Sequence, residues 1–111
     1  MEIIFHAHHA DISPRLQQRA DASLRKIVER LGHAVDAVVR VEEDGPTRRV
    51  ELVLHTPRGR RLVARGEARY FGPALTVALG KLGAQVKRAR KTASGRRRVA
   101  KSRSRRKRVG A

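Results

Sequence analysis

Cysteine and tryptophan are absent from this chain, and Phe5, Tyr70 and Phe71 are its only aromatic residues. Without cysteine there can be no disulfide and no thiolate metal site, and the composition fits a reducing compartment. So few aromatics make base stacking a weak theme, unlike in modules that read single strands on aromatic platforms. Acid is missing from the whole end of the chain, since no Asp or Glu follows Glu67. Long apolar runs are missing as well, so nothing approaches membrane-spanning length. The opening MEIIF turns polar at once, without the apolar core of a signal peptide. These absences predict a soluble, cytoplasmic protein with no membrane and no small-molecule substrate among its partners.

What the chain has is positive charge. Its 111 residues carry 27 Lys plus Arg against 10 Asp plus Glu, a net charge of +17. The charge is unevenly placed: residues 1–91 hold 18 of the bases and every acid, while 92–111 hold nine bases alone. An excess of this size repels itself and gains most from a polyanion, with nucleic acid the leading candidate.

Hydrophobic periodicity divides residues 1–91 into six elements. Ile3, Phe5 and Ala7 alternate with Glu2, Ile4 and His6 as a first strand. Asp11 or Ser13 offers a helix cap and Pro14 suits the first turn. Leu16, Ala20, Leu24, Ile27, Val28 and Leu31 then mark a helical stripe over 14–31, which Gly32 ends. Val35, Ala37, Val39 and Val41 alternate as a second strand, with Glu43-Asp44-Gly45-Pro46 as its turn. Val50, Leu52 and Leu54 form a third strand, Thr56-Pro57-Arg58-Gly59 a second turn, and Leu62, Ala64 and Gly66 a fourth strand. Phe71, Leu75, Ala78, Leu79, Leu82 and Val86 line one side of a second helix that turns basic at Lys87, Arg88, Arg90 and Lys91.

The expected fold is therefore α+β, of order β-α-β-β-β-α. A four-stranded sheet carries two helices on one face, with the first two strands parallel across the helical crossover and the rest antiparallel. The other face, solvated or reserved for a ligand, presents His6, Arg40, Arg49, Glu51, Arg61 and Arg65 among Ile4, Val38, Val53 and Val63. Residues 92–111, without apolar period, form an Arg/Lys-rich tail expected to be disordered until bound.

Catalytic and metal chemistry find little support. His6, His8 and His9 cluster around a strand end but point to different faces, so surface or RNA-facing histidines are the preferred reading over metal ligands. Glu42, Glu43 and Asp44 fall in a solvated hairpin turn, and Ser94 and Ser102 lie in the tail with no rigid base nearby. Gly80 and Gly83 sit inside the second helix, where close packing against the sheet would account for them. The sequence predicts a non-enzyme with no cofactor. A solvated face suffices for Arg15 and Arg19, but not for Lys87–Lys91 and the tail.

The order of elements and several local stretches resemble the ribosome hibernation promoting factor and ribosome-associated inhibitor family, also known as sigma-54 modulation proteins. The likeness runs through MEIIFHAHHADIS, the Lys26-Ile27 pair, VDAVVRVE, Leu54-His55, ARGEA, and Ala74-Leu75, Lys81-Leu82 and Gln85-Val86 of the last helix. It covers about residues 1–91. Family members usually open the last helix with an acidic or Asn cap, where this chain has Tyr70-Phe71-Gly72-Pro73. The resemblance implies a double-stranded-RNA-binding-like domain that binds the small (30S) ribosomal subunit and its rRNA, in the channel of mRNA and the A- and P-site tRNAs. Inhibited translation and stored ribosomes would follow. Long members carry a separate C-terminal dimerisation domain where this chain has a basic tail, so a short form, monomeric off the ribosome, is expected.

On that reading Lys81, Lys87, Arg88, Arg90 and Lys91 engage rRNA phosphates, with Arg25 and Lys26 of the first helix secondary. Arg96, Arg97, Arg98, Arg105, Arg106, Lys107 and Arg108 bind nearby RNA nonspecifically. Two alternatives stay open: a general double-stranded-RNA- or DNA-binding basic protein, and an integral ribosomal protein.

Overall fold

A computed structural model describes residues 1–101 apart from 33, 35 and 58, with side chains as far as residue 89. Strand β1 covers Glu2–His8, helix α1 Pro14–Leu31, β2 Asp36–Asp44, β3 Thr47–His55, β4 Arg61–Ala68 and α2 Phe71–Lys101. The β-α-β-β-β-α order is the expected one. Val35, expected to open the second strand, and Arg58 of the second turn lie outside the described residues.

Local signals act where expected at α1. The Leu16 N–H donates to the Ser13 side-chain oxygen at 3.1 Å, satisfying an otherwise unpaired donor of the first turn, and Pro14 opens the helix. Gly32 closes it with φ 104°, its N–H donating to the Val28 carbonyl at 2.9 Å. The first hairpin is tighter than expected. Glu43 and Asp44 are not turn residues but the end of β2, paired in register with Arg48 and Thr47. Gly45, at φ 60°, and Pro46 make the turn alone. The Glu43–Arg48 ion pair, at 2.6 Å, carries the ladder to its tip.

The four strands lie in sequence order, β1 parallel to β2 and the rest antiparallel. One face of this sheet carries both helices. Ala20, Leu24 and Ile27 of α1 and Leu75, Ala78, Leu82 and Val86 of α2 bury against Val39, Val41, Val50, Leu52, Leu54, Leu62 and Ala64. Because β1 and β4 run the same way and each is followed by a helix that turns back over the sheet, α1 and α2 run side by side in one direction.

One expectation about α2 is corrected. Gly80 and Gly83 do not pack against the sheet: a Cβ at either would meet nothing within 4 Å. The close approach is made by Gly66 of β4, where a Cβ would stand 2.7 Å from the Ala78 amide nitrogen and press on the Ala74 carbonyl. Small residues on both sides let helix backbone rest on strand backbone there. The backbone of α2 continues to Lys101. The apolar period ends at Val86, but Ala, Lys and Arg are strong helix formers and sustain the backbone without it. Residues 102–111 lie outside the described residues.

Candidate nucleic-acid interface

Register across the sheet decides where the charge goes. Side chains that point away from the helices form rungs: Glu2–Asp36–His55–Arg61, then Ile4–Val38–Val53–Val63, then His6–Arg40–Glu51–Arg65, then His8–Glu42–Arg49–Glu67, with Asp44 at the end. The residues expected on this face are all present. They do not make it basic, because Glu2, Asp36, Glu42, Asp44, Glu51 and Glu67 share it with only four arginines.

Most of those charges are paired. Arg49 sits among three carboxylates, Glu67 at 2.8 Å, Asp44 at 3.1 Å and Glu42 at 3.3 Å. Its hydrogen bonds to Glu67 and then Glu42 raise the pKa of its guanidinium above the ordinary arginine value. Arg65 donates to Glu51 at 2.7 Å, and Arg40 stands 3.8 Å from the same carboxylate. The His55 ring nitrogen Nδ1 lies 2.5 Å from Asp36 Oδ1. A depression of about 520 Å³ runs across these rungs between His6, Arg40, Arg49, Glu51, Arg65 and Glu67. It is a self-neutralised surface, poorly suited to a polyanion. Glu2, Asp36, Glu42 and Glu67 are in phase with the expected residues of their own strands, and Asp44 joins them because β2 runs on to the turn.

The acids' placement leaves the remaining surface basic. Only Asp11, Asp21, Glu29 and Glu43 lie off the sheet's open face, against 11 of the 15 bases whose side chains are described in residues 1–91. Lys81, Lys87 and Arg88 are exposed on α2, which contains no acid, and none has an ion-pair partner among the described residues. Lys26 is likewise exposed on α1. Arg25 is more engaged, donating to Asp21 at 2.7 Å and to the Met1 carbonyl at 3.4 Å. Because the helices run side by side in one direction, Lys26 and the basic run of α2 point toward one end of the layer. The side chains of Arg90, Lys91, Arg96, Arg97 and Arg98, and all of Arg105, Arg106, Lys107 and Arg108, lie outside the described residues.

Arg19 is exposed, as expected of a solvated charge, and it also joins the two helices. Its guanidinium donates to the Gly72 carbonyl at 3.0 Å and to the Thr76 hydroxyl at 2.5 Å, joining α1 to the first turn of α2. At that start Ala74 N–H donates to the Tyr70 carbonyl at 3.1 Å as the first helical bond. Beside it, the Arg48 guanidinium lies 5.9 Å from the centre of the Phe71 ring.

His6 and His8 share the open face, contrary to the expectation of different faces, and His9 follows in a left-handed conformation at φ 53°. The His8 and His9 rings meet edge to face at 4.2 Å. Among the described residues no three metal-ligating side chains gather, and no helix is long and apolar enough to cross a membrane.

Comparison with known proteins bears on this layout. Residues 3–93 match the family described as sigma 54 modulation protein / S30EA ribosomal protein. A ribosomal subunit interface protein from Coxiella burnetii has a similar structure, with a TM-score of 0.73 at 18% identity, over 82% of this chain and 99% of that one. The N-terminal domain of Thermus thermophilus Protein Y superposes with a TM-score of 0.66 at 21% identity, over 78% and 93%. No curated protein matches in sequence. The structural likenesses concern the fold.

Proposed function

Because the chain belongs to the sigma 54 modulation protein / S30EA ribosomal protein family, we propose that it is a ribosome hibernation factor that inhibits translation from the small subunit. It acts by occupancy, without catalysis or cofactor, in the cytoplasm where ribosomes are. The helical layer meets rRNA in the channel of mRNA and the A- and P-site tRNAs, and the open face of the sheet turns away from phosphate. The separation of charge is the observation that carries this reading. Ten acids could have been spread over the surface, and six sit on one face of the sheet, where four arginines already balance much of their charge.

Lys81, Lys87 and Arg88 supply the first phosphate contacts, with Arg90 and Lys91 continuing the same helix and Lys26 lying on its neighbour. Arg25, tied to Asp21 and the chain start, contributes less than Lys26. The bases of 92–111 extend the grip along nearby RNA without sequence preference. Off the ribosome the protein is monomeric.

Sucrose-gradient profiles of growing and starved cells, probed for this chain, test the reading. A hibernation factor appears with small subunits or whole ribosomes chiefly in starvation. Constant one-to-one stoichiometry during growth would identify an integral ribosomal protein instead. Equal competition by bulk duplex RNA and purified small subunits at physiological salt would reduce the protein to a general nucleic-acid binder.

A further inference from the structure

The basic end of α2 does not account for its beginning. Tyr70, Pro73, Val77, Lys81, Ala84 and Arg88 recur at spacings of three and four, so they fall on one side of the helix, and all six are exposed. The stripe is apolar where it starts and cationic where it ends. Met1, Tyr70 and Val77 are the large hydrophobic side chains exposed among the described residues, and two of the three stand on it. Tyr70 is the extreme case at 67% exposure. A single exposed apolar residue is ordinary, but this one is the chain's only tyrosine, and its backbone is held at the start of a helix. Its carbonyl accepts the first hydrogen bond of α2, so the ring stands on a rigid helix entry rather than a loose loop. Arg69 is exposed beside it, and α2 carries no acid.

We propose that this stripe seats a single-stranded stretch of RNA, with an unstacked base on the Tyr70 ring, sugars against Pro73 and Val77, and phosphates on Lys81 and Arg88. The inference rests on the RNA-binding reading above and deepens it by naming the form of RNA and the residue that anchors it. Ring faces accept any base, so the contact tolerates sequence while still telling RNA from a bare polyanion. A protein helix fits less well. It would want apolar anchors along the whole stripe, and Lys81 and Arg88 interrupt them.

The absence of tryptophan makes the test direct, since intrinsic emission reports on Tyr70 alone. Titrating the full chain with a short oligoadenylate should quench that emission saturably. Heparin, a polyanion without bases, should bind and leave it unquenched. Tyr70→Ala should weaken oligoadenylate binding roughly tenfold, Tyr70→Phe should retain it, and heparin affinity should be the same for all three. Melting curves check that the variants fold, and the quenching of the wild type needs no variant. Oligoadenylate bound without quenching, or bound equally by Tyr70→Ala, overturns the proposal. So does Tyr70→Ala losing small subunits while keeping oligoadenylate, which would assign the stripe to a protein partner. None of the oligonucleotide measurements involves ribosomes, so they can fail or succeed independently of the gradient experiment.

Discussion

Gly66 of β4 lies so close to Ala78 of α2 that a Cβ on the glycine would stand 2.7 Å from the alanine's amide nitrogen. No side-chain movement relieves such a contact, because the obstacle is helix backbone. Gly66→Ala should therefore push α2 off the sheet and cost about 1–3 kcal/mol, the range for overpacked interiors. For a domain this small, that is a fall of several degrees in melting temperature at the least. Chemical denaturation of the variant beside the wild type measures it, and equal midpoints would show that the seam is looser than described.

Arg19 makes a second tie between layers, and its loss should be felt differently. Arg19→Met keeps much of the apolar stem but removes the donors to the Gly72 carbonyl and the Thr76 hydroxyl. Both bonds are exposed to water, so the expected loss is about 1 kcal/mol, at the low end for two hydrogen bonds. Arg15→Met, one helical turn earlier, should leave stability unchanged. If the two variants melted alike, Arg19 would be the plain surface charge its sequence context suggests.

A substitution at Arg49 tests which face meets RNA. Arg49→Met strips the partner from Glu42, Asp44 and Glu67, so those like charges repel and the melting temperature drops. Small-subunit affinity should stay within about twofold of wild type, because by this reading the open sheet face is turned away from phosphate. The pH sign also follows. A raised pKa means that the contribution of Arg49 is fully present below its ordinary value and is lost only as pH climbs past the raised one. Between pH 5 and 9 the titration of Arg49 itself should add no slope to stability. A large loss of affinity in Arg49→Met would place RNA on the sheet.

Much of this architecture is legible in the residues because each element obeys one simple period. The α1 boundaries follow from Ser13, Pro14 and Gly32, and the strands from alternating valines and leucines. What stays hidden depends on two elements meeting. Arg19 is read as solvated because its partners, Gly72 and Thr76, are more than fifty residues away. Gly66 resembles an ordinary strand residue until α2 is laid across it, while Gly80 and Gly83 attract a packing role they do not have. The basic stretch of α2 is visible in one dimension. That the acids collect on the opposite layer follows from alternation within each strand, β2 alone placing Asp36, Glu42 and Asp44 there, while register decides which arginines they meet.

Salt should dominate the affinity for RNA. If about six phosphates are neutralised, log affinity falls with log salt concentration at a slope of about −4 to −5. Removing three of the cations in Lys81→Ala, Lys87→Ala and Arg88→Ala together should flatten that slope by about 2 to 3 units. Binding to small subunits across a salt series gives both slopes. An unchanged slope in the triple variant would move the phosphate contacts elsewhere, Lys26 and the bases beyond residue 89 being the next places to look.

Gly80 and Gly83 offer the converse of Gly66. Neither shows φ above zero, and a Cβ at either position meets open space. Each costs α2 helical stability without any packing in return, so Gly80→Ala and Gly83→Ala should each stabilise the protein by about 0.5–1 kcal/mol. The residues stand three apart on one helix, so each variant is measured singly before the two are combined. Thermal melts detect the gain, and a loss instead would mean that the helix needs to bend there. RNA affinity gives the second reading of the same variants. An alanine methyl at Gly80 stands close to the stripe that begins at Tyr70, so a stabilised Gly80→Ala variant with weakened RNA binding would place the RNA backbone against that part of the helix. Unchanged binding would confine the contact to the stripe's own side chains.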